Sequence, residues 1–353
     1  MHVLALGGAG GIESLCVDIA RKSKDNNYFY FMWGGGHNEL RIRQINGQTE
    51  VRHFKNVFIL IEYIHFMNYI RKNHIDCIVV QGMSPVLLLF SALYKKTNPQ
   101  IKLVLYLHAD AKDLFETKIK KQSFLYAYKY ADGCVAISEF VKNSMLKQEV
   151  DNTKVKVIYN GVDLDRYKSD RNKAPSKITR LIFVGRLIKE KGVIYLLQAI
   201  EKIKDLCELT IVGDGPERKE LEDFINKKGL TNVELVGTQW NVNEWLRKAD
   251  IFIHPAIWNE GFGITLVEAM STGMPCIAFN KGAVPEIIEN NADGFLVNEV
   301  SSIALRDSIL YAIGIQKNFP EEWKRICENA IEKSNSFSIE TYVTKLSKYV
   351  SEL

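Results

Sequence analysis

HPAIWNEGFGITLVEAM, residues 254–270, is the stretch that decides the fold. It follows a short apolar run, residues 251–253, which is typical of the end of a buried strand. Two glycines flank Phe262, and a second apolar run then carries Glu268. The pattern predicts a strand, a glycine turn and the start of a helix, which sets unpaired backbone N–H groups beside the positive end of a helix dipole. Such a turn is suited to a phosphate or another anion.

Two glutamates in this stretch are candidate sugar ligands, because carboxylates accept hydrogen bonds strongly and sugar hydroxyls donate them. A pair of glutamates alone would fit a solvated helix face equally well. The whole pattern, however, resembles the C-terminal signature of retaining GT-B glycosyltransferases of family four (group 1 type), in which Gly-Phe-Gly follows the first glutamate and Ala-Met the second. The resemblance implies that Glu260 contacts the donor sugar with the backbone of Gly261, Phe262 and Gly263, and that Glu268 holds the nucleotide ribose.

A second motif, FVGRLIKEKG at residues 183–192, supplies two cations directly after an apolar run. Arg186 offers a planar fork and Lys191 a point charge, and together they can neutralise a diphosphate leaving group. Two solvated surface cations are the alternative. The family carries Gly-Arg and then Lys-Gly at the same place, so the resemblance favours the diphosphate role.

A glycine-rich loop, GGAGGIES at residues 7–14, follows the first predicted strand and opens a helix. Glycines permit close approach of the backbone to a phosphate. The third glycine of a dinucleotide fingerprint is missing, and the second predicted strand is not followed by an acidic residue that would bind a nicotinamide cofactor's ribose. A dehydrogenase is therefore disfavoured. The resembled family has a similar loop near the donor phosphates, which implies this role for Gly10 and Gly11; a plain tight turn is the alternative.

His108 ends the apolar run at residues 103–107. A lone histidine is more often structural, but the family places a histidine at this strand end, close to the transferred sugar. The resemblance therefore implies that His108 is a site residue. Asp163 and Asp165 superficially match the metal-binding Asp-x-Asp of the other glycosyltransferase fold, yet they lie in an Asn-Gly-Val-Asp turn that the family shares. We expect no essential metal and no cofactor.

Strand and helix patterns alternate along both halves of the chain, which predicts two α/β domains with parallel sheets. Predicted strands fall at residues 3–6, 29–32, 78–80, 103–107, 134–137, 155–158, 181–184, 209–212, 233–236, 251–253 and 276–279, and predicted helices include 59–71, 138–147, 193–204 and 217–228. Polar residues 163–177 are the candidate linker. The resemblance implies the GT-B fold: two Rossmann-like doubly wound domains facing across a cleft, an acceptor domain at 1–165 joined by a closing helix at 338–353, and a donor domain at 176–337.

Composition sets broad limits on the class of protein. The chain has 353 residues, 46% hydrophobic and 25% charged, enough for two cores. No apolar run reaches about 18 residues and no leader pattern opens the chain, so neither a membrane span nor a signal peptide is predicted. The six cysteines and seven histidines are scattered, typical of reduced cytoplasmic core residues without a metal site. No nucleic-acid motif is present.

Partners are suggested by charge. Residues 1–170 hold 23 basic and 17 acidic side chains, and the remainder 23 and 25, so the first half favours an anionic acceptor or surface. Lysines and aromatic residues alternate at 112–130. This segment fits either peripheral docking on an anionic inner-leaflet membrane or a surface helix packed on the sheet, and the two are about even.

The sequence therefore predicts a cytoplasmic glycosyltransferase that moves a sugar, with retained configuration, from a nucleoside diphosphate sugar to a hydroxyl acceptor. A UDP-sugar is the expected donor on family grounds, with GDP-mannose as the alternative, and a glycan or lipid-linked acceptor in cell-surface polysaccharide or glycolipid synthesis is expected. Two further alternatives share the fold: a nucleotide-sugar epimerase and a non-catalytic nucleotide-sugar binding protein.

Overall fold

The computed structural model describes residues 1–7, 10–46, 48–54, 59–167 and 178–353. The chain divides into two compact units, residues 1–162 with 339–353, and residues 163–338. The first unit is thus discontinuous in sequence, and the second is inserted into it. Most of the expected linker, residues 168–177, lies outside the described residues.

The N-terminal unit contains a parallel sheet whose strands, among the described residues, run in the order β3-β2-β1-β4-β5-β6-β7. The strands are β1 (His2–Leu4), β2 (Phe29–Phe31), β3 (Thr49–Val51), β4 (Cys77–Val80), β5 (Lys102–Leu107), β6 (Gly133–Ala136) and β7 (Val155–Val157). The intervening helices are α1 (Gly11–Lys22), α2 (His37–Asn46), α3 (Ile59–Lys72), α4 (Pro85–Thr97), α5 (Ala111–Leu114), α6 (Lys118–Tyr130) and α7 (Glu139–Leu146). The central strands are buried, as expected for apolar runs covered on both faces. The edge strand β3 was not predicted.

The C-terminal unit repeats this architecture with the strand order β10-β9-β8-β11-β12-β13 in the described part of the chain. Its strands are β8 (Thr179–Val184), β9 (Cys207–Val212), β10 (Val233–Gly237), β11 (Ile251–His254), β12 (Cys276–Phe279) and β13 (Gly294–Val297). Its helices are α8 (Val193–Glu201), α9 (Arg218–Lys228), α10 (Val242–Leu246), α11 (Ile264–Ser271), α12 (Val284–Ile287), α13 (Ser302–Asn318) and α14 (Pro320–Asn335). Strand β13 is the second strand that the sequence did not predict.

Both sheets reverse their strand order at one point. In the N-terminal unit the reversal lies between β1 and β4, and in the C-terminal unit between β8 and β11. In open parallel sheets of this kind, ligands bind outside the carboxyl ends of the strands at such a reversal. The loops after β8 and β11 carry Arg186, Lys191 and Glu260, so three predicted site residues follow the reversal of their own sheet.

The last helix, α15 (Ile339–Glu352), returns to complete the N-terminal unit. Its first N–H donates to the Val162 carbonyl at 2.9 Å, and Lys102 donates to the Val350 carbonyl at 2.7 Å. The helix approaches the backbone of Gly161 so closely that a Cβ atom there would lie 2.7 Å from both the Ile339 Cα and the Tyr342 Cβ. Only glycine fits this contact without a shift of the helix.

The segment at residues 112–130 packs largely as a structural helix. Phe115, Phe124 and Tyr128 are buried, and α6 lies against α4. These three aromatic side chains therefore stabilise the unit and cannot also enter a membrane surface. Ile119 and Leu125 remain exposed and Tyr126 and Tyr130 half-buried, so a smaller set of apolar side chains stays available beside the lysines. Among the described residues, no helix combines the length and apolar character that crossing a bilayer requires.

Replacing Gly161 by Ala should destabilise the N-terminal unit by about 1–3 kcal/mol, because the added methyl group overpacks the contact with α15. Thermal unfolding of the variant should show the loss as a lower Tm. Gly314→Ala is the matched control: a Cβ at this position in α13 would meet nothing within 4 Å, so the same change should leave stability equal or slightly higher. Equal effects of the two substitutions would contradict the tight packing of α15 on Gly161.

Candidate active site

Three loops of the C-terminal unit are in contact at the carboxyl edge of its sheet. The loops after β8 and β11 are joined by a hydrogen bond from the Ile257 N–H to the Glu190 carbonyl at 2.9 Å. Gly192 has a φ of 64° and lies so close to the Pro255 carbonyl that a side chain would collide with it. The loop after β12 adds a hydrogen bond from the Ala283 N–H to the Glu260 carbonyl at 2.8 Å. The backbone around Glu260 is thus fixed from two sides.

The carboxylate of Glu260 is the centre of a compact polar cluster. Its Oε2 atom accepts hydrogen bonds from Lys191 Nζ at 2.7 Å and from Trp258 Nε1 at 3.0 Å, and His254 Nε2 lies 3.3 Å away. The Lys191 and Glu260 side chains are only 17% and 14% exposed. The ammonium also lies 5.2 Å from the Trp258 ring centroid, a cation–π distance. Among the described residues, no hydrogen bond to the other carboxylate oxygen, Oε1, is found.

The surroundings of Glu260 keep its carboxylate ionised. Burial would raise the pKa of Glu260, but the hydrogen bond from His254 and the charge of Lys191 outweigh it and hold this pKa well below its usual range. Burial lowers the pKa of His254, and the Lys191 charge lowers it further against the opposing effect of Glu260. The imidazole is therefore neutral at physiological pH, and the cluster consists of one cation, one anion and two neutral donors.

Arg186 has a different environment from Lys191. It is exposed, and no side chain of the described residues forms an ion pair with it. Its loop is supported by the loop after β9, through a hydrogen bond from the Leu187 N–H to the Asp214 carbonyl at 2.9 Å. An exposed guanidinium on a supported backbone can rotate onto an anion without breaking an existing pair.

Helix α11, which follows the loop of Glu260, carries Glu268 in its second turn. Gly263, with a φ of 100°, precedes the helix, so the predicted order of strand, glycine turn and helix is confirmed. Glu268 Oε1 accepts a hydrogen bond from the Tyr167 hydroxyl at 2.6 Å. The Phe262 ring is 2% exposed and packs edge-on against Phe337 at 5.4 Å. The Phe262 side chain therefore belongs to the core, and only the backbone of this residue is available for the predicted contact with the donor.

Gly10, Gly11 and His108 lie in the other unit. Gly10 caps the N-terminus of α1 and Gly11 is its first residue, whereas the preceding Gly8 and Ala9 of the predicted loop lie outside the described residues. His108 directly follows β5 and is half-buried. The two predicted groups of site residues are thus each placed at the carboxyl edge of their own sheet.

His108 is held by neutral neighbours. Its Nε2 atom lies 2.7 Å from Gln81 Oε1, and its ring stacks on that of Tyr106 with centroids 5.1 Å apart. Burial lowers the pKa of His108 to about 3, so the imidazole is uncharged at neutral pH.

The sequence motifs predicted both Lys191 and Glu260 as site residues, but they did not identify two side chains that contact Glu260. His254 is the last residue of a buried strand, and Trp258 lies two positions before Glu260 in the same loop. Their closeness in sequence to Glu260 was the available signal. Within the described part of the chain, no group of three or more His, Cys, Asp or Glu side chains could hold a metal ion.

Two doubly wound units are the architecture of the GT-B fold, and comparison with known families identifies the class of enzyme. The family described as "Glycosyl transferases group 1" matches residues 166–333, and "Glycosyltransferase Family 4" matches residues 9–166. The chain belongs to this family of glycosyltransferases.

Similar proteins come from archaea and bacteria. An uncharacterized glycosyltransferase of Methanocaldococcus jannaschii, MJ1178, is 29% identical over 98% of this chain and 95% of its own length. The UDP-Gal:alpha-D-GlcNAc-diphosphoundecaprenol alpha-1,3-galactosyltransferase of Escherichia coli is 31% identical over 50% of this chain and 51% of its own. HepE of Anabaena, solved in complex with UDP, is 23% identical and superposes with a TM-score of 0.87 over 100% of both chains. This likeness confirms the GT-B fold class.

Replacing Glu260 by Gln should make the protein's stability less sensitive to acid. Because the folded pKa is lowered, the ionised carboxylate contributes stability that is present above the unfolded pKa of about 4.3 and is lost as pH falls towards the folded value. We expect the fall in Tm between about pH 7 and about pH 3 to be smaller in Glu260→Gln than in the wild type.

Glu201→Gln is the control for this measurement. Glu201 pairs with Lys228 at 3.1 Å on the surface, where an ion pair contributes little, so this variant should lose stability in acid as the wild type does. If Glu260→Gln did the same, the ion pair at Glu260 would not have the stabilising effect described.

Proposed function

We propose that this enzyme is a retaining glycosyltransferase that uses a UDP-sugar donor and transfers its sugar to a hydroxyl acceptor. The observation that carries the proposal is the Lys191–Glu260 pair at the reversal of the C-terminal sheet. It sets a cation suited to a diphosphate directly beside a carboxylate suited to a sugar hydroxyl. A glycosyl donor presents these two groups next to each other.

The donor assignment is supported by the relatives. HepE of Anabaena was solved with UDP and with UDP-glucose, and the E. coli relative bears UDP-Gal in its name. Glu268 is the proposed ligand of the ribose. The glycine loop that includes Gly10 and Gly11 is proposed to approach the donor phosphates.

In the proposed reaction, the bond between the anomeric carbon and the diphosphate oxygen breaks while the acceptor hydroxyl oxygen bonds to the same carbon. The acceptor attacks on the face that the diphosphate leaves, and a diphosphate oxygen takes the hydroxyl proton. Arg186 and Lys191 stabilise the charge on the departing diphosphate. No enzymatic nucleophile is needed, which agrees with Glu260 being engaged through Oε2 by Lys191 and Trp258.

Glu260 is proposed to bind the sugar through its second carboxylate oxygen. Its Oε2 is held by protein donors, which orients the group and leaves Oε1 for a hydroxyl of the transferred sugar. His108 is proposed to face the same sugar from the N-terminal unit. The roles of both residues follow from their chemistry and from the family resemblance.

The proposed acceptor is a glycan or a lipid-linked sugar of a cell-surface polysaccharide or glycolipid. Its support is the E. coli relative, whose name specifies an acceptor on diphosphoundecaprenol. A lipid-linked acceptor would bring the enzyme to the cytoplasmic face of a membrane, where the lysines of α6 would interact with anionic lipids.

The function is tested by offering the purified enzyme a panel of UDP- and GDP-sugars. We expect tight binding and slow hydrolysis of a UDP-sugar, with the released sugar retaining its anomeric configuration. Interconversion of one nucleotide sugar into its epimer without an acceptor would identify an epimerase instead. Binding without any turnover would identify a non-catalytic binding protein.

Lys191→Ala and Glu260→Ala should each reduce sugar transfer at least about a hundredfold, because each removes a group that contacts the reacting donor. Steady-state turnover of the UDP-sugar measures the loss, and circular dichroism checks that the fold persists. Lys228→Ala and Glu201→Ala remove the same residue types from a surface pair of the same unit and should keep full activity. Full activity in either site variant would refute the assignment.

Tyr167→Phe should raise the KM for the donor about tenfold with little change in kcat. The substitution removes the hydroxyl that donates to Glu268 at 2.6 Å and so weakens one of the contacts that orient the proposed ribose ligand. Tyr349→Phe is the matched control. Its hydroxyl bonds to the backbone of the N-terminal unit, at Cys134 and Lys154, so the kinetics of this variant should be those of the wild type. An unchanged KM in Tyr167→Phe would show that this hydrogen bond does not serve donor binding.

A further inference from the structure

A continuous series of hydrogen bonds connects His108 to the backbone of a distant turn in the N-terminal unit. His108 Nε2 lies 2.7 Å from Gln81 Oε1, and Gln81 Nε2 lies 3.0 Å from His2 Nδ1. His2 Nε2 lies 3.1 Å from Asn27 Oδ1, and Asn27 Nδ2 donates to the Asp25 carbonyl at 3.0 Å. We name the set of Asn27, His2, Gln81 and His108 the imidazole relay.

The central members of the relay are shielded from water. His2 and Gln81 are 2% and 3% exposed. His2 lies in β1 and Gln81 directly follows β4, and the N-terminal sheet reverses its order between these two strands. Burial lowers the pKa of both His2 and His108 to about 3. Both rings are therefore neutral, so each has one nitrogen that donates and one that accepts.

The directions of these hydrogen bonds follow from one fixed end. The Asp25 carbonyl can only accept, so the Asn27 amide nitrogen faces it and the Asn27 oxygen faces His2. His2 must then donate from Nε2 and accept at Nδ1, which requires the amide nitrogen of Gln81 to point towards His2.

The Gln81 oxygen therefore faces His108, and His108 must carry its proton on Nε2. A neutral imidazole protonated at Nε2 has a lone pair on Nδ1. No hydrogen bond to His108 Nδ1 is found among the described residues, and the half-buried ring leaves this nitrogen available to a ligand.

We propose that Gln81 is a positioning residue that fixes His108 as the Nε2-protonated tautomer, so that Nδ1 accepts a hydrogen bond from a hydroxyl group of the transferred sugar. This inference rests on the proposed function, in which His108 faces that sugar. It adds how the ring is oriented, which nitrogen binds, and why the ring stays uncharged.

An amide at position 81 suits this role better than a carboxylate. A carboxylate can only accept, so it would reverse the direction at His2 and would favour a protonated, cationic His108. A cation beside the sugar would oppose the positive charge that develops on the anomeric carbon as the diphosphate departs. The neutral amide avoids this repulsion while still fixing the tautomer.

The tautomer is measured directly by NMR of the histidine ring nitrogens in ¹⁵N-labelled protein, with His108→Ala used to assign the signals. We expect the wild type to show His108 protonated at Nε2 only. Gln81→Met keeps the volume of the side chain but removes both hydrogen bonds, and its His108 signals should be those of a mixture of tautomers.

Kinetics then connect the tautomer to the reaction. Gln81→Met should lower kcat/KM for the UDP-sugar about tenfold while the Kd for UDP, which lacks the sugar, stays unchanged. In a His108→Ala background the same substitution should have no additional effect, because Gln81 acts through His108. Gln316→Met is the matched control: Gln316 is a buried glutamine bonded to Thr179 at 2.7 Å in the other unit, and its loss should leave kcat/KM unaltered.

Gln81→Glu provides a second readout should Gln81→Met fold poorly. The carboxylate should raise the pKa of His108 towards neutrality, so that kcat/KM of this variant is low in acid and recovers as pH rises through the new pKa. The wild type should lack this inflection, since its ring is already neutral over that range.

Three results would overturn the inference: a wild-type His108 protonated at Nδ1, a tautomer unchanged in Gln81→Met, or full kcat/KM in Gln81→Met despite mixed tautomers. A wild type that turns over no nucleotide sugar would instead refute the proposed function. Since the NMR spectrum does not depend on turnover, the two failures are distinguishable.

Discussion

The ion pair between Lys191 and Glu260 is the interaction on which the organisation of the C-terminal unit depends. It joins the loops that follow β8 and β11, the two strands at which the sheet reverses its order. Ionised Glu260 stabilises the fold relative to its protonated form, but compared with two apolar side chains a partly buried ion pair gains little, because removing two charges from water offsets most of their attraction. We therefore interpret the pair as a device that holds two opposite charges at a fixed separation, and the close packing of Gly192 on Pro255 as the support that keeps the loops in register.

The two cations of this site are not equivalent. Lys191 is already engaged by Glu260, whereas Arg186 is exposed and has no ion pair among the described residues. In the proposed function, the exposed Arg186 would attract the donor diphosphate, and Lys191 would bind it while still orienting Glu260. Such a pair of cations would suit a donor with both a charged and a neutral part, because Arg186 would attract the diphosphate while Lys191 would orient the carboxylate that binds the sugar.

The sequence predicted much of this arrangement because its signals are local. Apolar runs marked the buried strands, and the glycines around Phe262 marked the turn before α11. Strand β3 was not predicted because Thr49–Val51 is short, half-buried and interrupted by Glu50, so it lacks an apolar run. Strand β13, Gly294–Val297, has only four residues and begins with a glycine, a weak strand former.

Contacts between residues distant in sequence were beyond local signals. No spacing rule connects Tyr167 to Glu268 or His2 to His108 through Gln81, because each contact depends on which strands become neighbours. The burial of the Phe262 ring against Phe337 likewise depends on where the last part of the C-terminal unit packs. Motifs identify the residue types that chemistry requires, and the tertiary fold decides which of their atoms remain available.

The return of α15 to the N-terminal unit has a consequence for the order in which the chain folds during synthesis. Ile339, Tyr342 and Leu346 are buried in that unit, so its core is incomplete until α15 has been synthesised. The inserted unit, residues 163–338, is contiguous and can reach its native packing earlier. The unit whose strands are translated first therefore completes its packing last, and until then the apolar surface that α15 covers is exposed to solvent.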